Sequence, residues 1–72
     1  MKFYVSFGQD HVHNVGGVTL DKDVLLEIEA DNEGEARRRV WKTIGPEWHR
    51  VYTEDTVKFE YFPRGTVTIP GV

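Results

Sequence analysis

"VLLEIEADNEGEARRRVWKTIGP", Val24 to Pro46, changes its apolar period halfway along, and that change decides the fold. Val24, Leu26, Ile28 and Ala30 recur at every second position, with Leu25, Glu27 and Glu29 between them. Period two predicts a strand with the first set facing a core and the second set wet, apart from Leu25. From Asp31 the period lengthens. Ala36, Val40 and Ile44 fall at i, i+4 and i+8, one apolar stripe of an amphipathic helix. Asp31 or Asn32 can cap its start, and Asn32 with Glu35 has capping-box spacing. Gly45 suits the C′ position, and Pro46 forbids continuation. Gly34 would cost about 1 kcal/mol in a helix interior, but less in a first turn.

The same helix accounts for a charge asymmetry. Between Leu20 and Ala36 the acids Asp21, Asp23, Glu27, Glu29, Asp31, Glu33 and Glu35 face Lys22 alone. Between Arg37 and Arg50 the bases Arg37, Arg38, Arg39, Lys42 and Arg50 face Glu47 alone. Acids in a first turn and bases further on complement the helix dipole. Glu35 and Arg39 form an i, i+4 pair of the favourable orientation. Arg37 falls at the border of the apolar stripe, where Trp41 one turn on can stack on its guanidinium. Arg38 and Lys42 share the outer face.

Upstream, "KFYVSF", Lys2 to Phe7, alternates Phe3, Val5 and Phe7 with Lys2, Tyr4 and Ser6 and predicts a half-buried strand. Gly8 ends it. "GQDHVHNVGG", Gly8 to Gly17, reads as a polar loop bounded by glycine, followed by the short apolar patch Val18 to Leu20. "DKD", Asp21 to Asp23, is turn chemistry. Downstream, "HRVYT", His49 to Thr53, is a third strand, and Glu54-Asp55 a turn. In "TVKFEYFPRG", Thr56 to Gly65, Val57, Phe59 and Tyr61 alternate with Lys58, Glu60 and Phe62, which points to a fourth strand. Residues 63–72 are expected to be a final edge strand or a loose tail.

Two strands, a helix and a returning strand make a split β-β-α-β unit. A right-handed crossover brings the third strand back parallel to the second. The first strand then sits between them, antiparallel to both. The expected fold class is α+β: a small antiparallel or mixed sheet of three to four strands with one helix packed on one face, in a single domain of 72 residues. The face carrying Tyr4, Leu25 and Tyr52 needs another cover. Either the segment with Phe59, Tyr61 and Phe62 folds over it, or a partner does.

Composition limits the function classes. A hydrophobic fraction of 39% can fill a globular core, so disorder is disfavoured. The absence of cysteine excludes disulfides, thiolate zinc sites and cysteine nucleophiles. A net charge of -3 weighs against a general nucleic-acid binder. The N-terminal residues lack the apolar run of a signal peptide and no segment has the length of a membrane span, so a cytoplasmic protein without a membrane partner is expected.

A strand ending in "SFGQ", a histidine in the next loop, a strand running into "EADNEGEAR" and a late "YFPRG" resemble a group of small proteins encoded by phages of actinobacteria. The resemblance spans most of the chain as scattered short motifs. It implies a phage accessory protein in the host cytoplasm, of the host-takeover or counter-defence kind, and it supplies no catalytic residue. The group often has a "DG" turn before its second strand, where this chain has "DKD", so the turn geometry there is open.

Four chemistries are open to these residues. His11 and His13, with His49 as the only plausible third ligand, are a candidate metal set, whereas a zinc site needs three or four ligands with fixed surroundings. No hydroxyl lies in a nucleophile motif, and there is no phosphate loop, so no catalytic residue, cofactor or small-molecule substrate is assigned. Arg37, Arg38, Arg39, Lys42 and Arg50, with Trp41 and Trp48, mix basic and aromatic groups as single-strand binders do. The leading expectation is a non-enzymatic protein that binds a host protein or a second copy of itself. Its expected contacts are Arg38, Trp41, Trp48 and Tyr52, with Phe59, Tyr61 and Phe62, because arginine and aromatic side chains dominate binding energy.

Overall fold

Strand β1 (Lys2–Ser6) occupies the interior of the sheet, as its large apolar side chains require. In the computed structural model, which describes residues 1–69, β1 is flanked by β4 (Leu25–Glu29) and β5 (Arg50–Thr53), antiparallel to both. The two-residue strand β6 (Thr66–Val67) adds to β4 in parallel, giving the order β5-β1-β4-β6. This is the expected α+β class, with one helix and a mixed sheet of four strands. Phe3, Val5, Phe7, Leu26 and Ile28 join the core cluster, as the period-two pattern places them, but β1 is not the half-buried strand expected, because Tyr4 and Ser6 on its other face are buried as well.

Helix α1 (Glu33–Ile44) covers that face. Ala36 and Val40 are buried and Ile44 packs at the core margin. The Asn32 side chain accepts a hydrogen bond from the Glu35 amide at 2.8 Å, satisfying one of the free donors of the first turn. Gly45 closes the other end, its amide donating to the Trp41 carbonyl at 2.9 Å.

The stretch between β1 and β4 is more ordered than a loop. β2 (His13–Val15) and β3 (Val18–Leu20) form a separate two-stranded hairpin, with Val15 opposite Val18. Gly16 and Gly17 both have positive φ, 58° and 82°, as a two-residue turn of the primed type requires. Leu20 is fully buried and Val15 and Val18 pack against the core, so the hairpin closes one end of it. The "DKD" segment is a turn, with the Asp23 amide bonded to the Asp21 carboxylate at 3.0 Å. It joins β3 to β4, which are not paired with each other.

The expected fourth strand over 56–65 does not form. The Thr53 carbonyl accepts from the amides of Thr56 and Val57, which turns the chain away from the sheet edge. A single 3₁₀ turn follows at Phe59–Tyr61. Topology explains this. β5 and β6 lie at opposite edges, so residues 54–65 must cross the sheet. The helical crossover runs from β4 to β5, and this one runs the opposite way. Two crossovers of the same hand and opposite direction cover opposite faces. Phe59 therefore reaches Tyr4, ring to ring, on the face away from α1. Arg64 anchors the far end, its guanidinium 2.8 Å from Asp21 and its amide 2.9 Å from the Asp23 carbonyl. Of the expected tail, Thr66–Val67 is the edge strand, and Pro70, Gly71 and Val72 lie outside the described residues.

Candidate functional site

The contacts expected from the sequence separate into distinct places. Trp48 packs against the core, with the Arg37 guanidinium 5.4 Å from its ring centre. Trp48 thus takes the stacking position expected of Trp41. Trp48 lies just past the helix end, where the chain folds back under α1; sequence distance along the helix could not reveal that. The Trp48 indole nitrogen is buried without a hydrogen-bond partner among the described residues. Trp41 instead stands 60% exposed. Phe59 is used within the fold, edge-on to Tyr4 at 5.1 Å.

Tyr52, Tyr61 and Phe62 come together. They line a cleft of about 580 Å³ along the free edge of β5, bounded by Glu33 of α1 on one side and the 56–62 segment on the other. Arg50 and Lys58 also line it. Neither has an ion-pair partner among the described residues. Glu33 is held by Arg37 at 3.1 Å, so the free charge of the cleft wall is positive.

The backbone adds to this site. The amides of Leu25 and Ala30 bond to Gly65 and Met1, which fixes the direction of the ladder groups on β4 and hence on β1. Alternation along an antiparallel strand then turns Tyr4 and Ser6 toward Tyr52 and Arg50, and turns Val51 and Thr53 outward. The Thr53 amide is already bonded to Thr56 Oγ1 at 3.0 Å. Val51 therefore presents the open N–H and C=O of this edge, while its side chain is buried in the core.

The five bases of the nucleic-acid reading do not form one patch. Arg37 and Arg39 are engaged by Glu33 and Glu35 at 3.1 and 2.9 Å. Arg50 lines the β5 cleft. Arg38 and Lys42 remain, beside Trp41 in a shallow groove on the outer face of α1 and without ion-pair partners among the described residues.

The histidines also divide. His13 Nε2 lies 2.6 Å from the Glu47 carbonyl, to which it donates, and its ring meets Phe7 edge-on at 6.0 Å. It pins the hairpin to the segment before β5. His11 and His49 line another groove, which His13 does not. Among the described residues no three His, Asp or Glu side chains converge as a metal ion would need.

One pairing was not visible in the sequence. Ser6 Oγ, on a buried side chain, lies 3.4 Å from His49 Nδ1, across a separation of 43 residues. The contact is long for a hydroxyl–imidazole bond. No hydrogen bond joins the other His49 ring nitrogen to a carboxylate among the described residues, although Asp10 lines the same groove as His49.

Burial raises the pKa of the Tyr4 phenol, and the carboxylates of Glu27, Glu54 and Glu29 raise it further. No helix among the described residues is long and apolar enough to cross a membrane. No family model matches this chain, and neither a curated protein nor a solved structure matches it.

Proposed function

We propose that this is a non-enzymatic interaction protein that docks a protein partner in the β5 cleft. The observation that carries the reading is the gathering of Tyr52, Tyr61 and Phe62 beside Arg50 and Lys58, cations free of ion pairs among the described residues. Folding uses Phe59 and Trp48 for packing but leaves Tyr61 68% exposed. Aromatic side chains at the wall of a cleft supply contact area at a small entropy cost. The resemblance to phage-encoded proteins supports a host protein, met in the cytoplasm, as the partner. A pull-down from lysate of the host cell tests the reading, with Tyr61→Ala and Trp41→Ala compared with the parent. Loss of one defined protein with Tyr61→Ala, and its retention with Trp41→Ala, is expected. Equal recovery in all three would reject the cleft.

The second reading is nucleic-acid binding on the outer face of α1. Exposed Trp41 beside Arg38 and Lys42, which have no ion-pair partner among the described residues, favours it. A phosphate-driven complex weakens steeply with salt. A blank electrophoretic shift with single- and double-stranded probes at about 50 mM salt removes this reading.

A further inference from the structure

We infer that the occupant of the β5 cleft is an extended, acidic protein segment that adds to the sheet as a strand beside β5. The inference rests on the docking role proposed for this cleft and names the chemistry of the partner. Three independent features point to it.

The first is the backbone. β5 is an edge strand, and Val51 turns its N–H and C=O to the open side. Unpaired ladder groups at an edge are a template for another strand. The template is short and has a defined end, because Thr53 is closed by its own bonds to Thr56 and Val57. An incoming strand would pair at Val51 and leave the sheet before the 53–57 turn.

The second is the walls. A strand beside β5 sends alternate side chains to opposite faces. On the face away from α1 they meet Tyr52, Tyr61 and Phe62. On the other they pass the first turn of α1 at Glu33. A slot with one aromatic wall and an open backbone selects extended chain over helix.

The third is charge, and it separates the two protein occupants. Arg50 and Lys58 line the slot without ion-pair partners among the described residues, and Glu33 is engaged by Arg37. Glu54, Asp55 and Glu60 are close in sequence but do not line it. A second copy pairing through β5 would bring another Arg50 and Lys58 into the same slot, and like charges at close range repel. Carboxylates on an incoming strand meet those cations instead.

The test uses the full chain and short synthetic peptides. One alternates glutamate with valine; its control alternates lysine with valine. Fluorescence anisotropy follows binding, and amide hydrogen exchange follows Val51. The glutamate peptide is expected to bind and to slow exchange at Val51, and the lysine peptide is expected to do neither. The surface double variant Arg50→Glu/Lys58→Glu should weaken binding about tenfold or more while leaving the circular dichroism spectrum unchanged. No binding of the glutamate peptide up to about 1 mM, equal binding of both peptides, or binding without slowed exchange at Val51 each overturns the proposal. Val51 protection that grows with protein concentration alone, together with dimer in sedimentation, also overturns it and assigns the edge to a second copy. The docking reading fails separately, by equal capture with Tyr61→Ala; a Tyr61-dependent partner that lacks an acidic extended segment sinks only the strand-addition inference.

Discussion

The ring of Phe59 meets the ring of Tyr4 edge-on, centroids 5.1 Å apart and planes at 87°. One residue belongs to the central strand and the other to the irregular segment that crosses from β5 to β6. Their contact covers the sheet face that α1 leaves open, so the chain supplies its own second layer. Phe59→Ala removes the contact from a side chain that is 47% exposed. The expected loss is about 1–2 kcal/mol, from partial burial plus the aromatic pair. Urea unfolding measures it as a lower midpoint at unchanged slope. An unchanged midpoint would mean that the segment does not hold the face.

Tyr4 carries a pH signature of the same layer. Burial and the nearby Glu27, Glu54 and Glu29 keep its phenol protonated above the ordinary value. The folded-state pKa is raised, so this contribution is full below the unfolded value of about 10 and is lost as pH rises through the folded value. Stability should fall on the alkaline side of pH 10. Tyr4→Phe should withstand higher pH than the parent when unfolding is followed by circular dichroism. An identical alkaline midpoint for the two would remove Tyr4 as the cause.

Trp48 is packed under Arg37, its buried indole N–H without a hydrogen-bond partner among the described residues. An unsatisfied buried donor costs about 1–3 kcal/mol, which offsets part of what the ring contributes. Trp48→Phe is therefore expected to change stability by less than about 1 kcal/mol, whereas Trp48→Ala should cost about 2–3 kcal/mol. Chemical unfolding of the pair decides it. A phenylalanine variant as unstable as the alanine variant would show that the indole is needed whole.

The helix start is equally specific. Asn32→Ala removes the acceptor for the Glu35 amide and should cost about 1 kcal/mol, with Asn32→Asp close to the parent. Thermal unfolding compares the three, and a full-strength alanine variant would dismiss the cap.

Regular periods were legible in the sequence. Phe3, Val5 and Phe7 against Val24, Leu26 and Ile28, with the stripe Ala36-Val40-Ile44, predicted the sheet, the helix and the strand at the centre. Shorter signals were not. Val18 to Leu20 is too brief for a period, and the meaning of Gly16-Gly17 depends on the pairing of Val15 with Val18 across it. Val57, Phe59 and Tyr61 alternate as a strand would, but the need to cross from one edge to the other overrides alternation. The site was legible by type and not by place. Aromatic and arginine residues were expected to bind, yet only tertiary contacts show that Trp48 and Phe59 are engaged in the fold while Tyr52, Tyr61 and Phe62 share a cleft. The adjacency of Ser6 and His49 had no signal along the chain at all.

The docking role of the β5 cleft is most directly tested by photo-crosslinking. A photoreactive phenylalanine replaces Tyr61 in one variant and Trp41 in another, and each is irradiated in host lysate. The account predicts one discrete protein adduct from position 61, reduced by Arg50→Glu, and no matching adduct from position 41. Adducts from position 41 alone, or none from position 61, would contradict it.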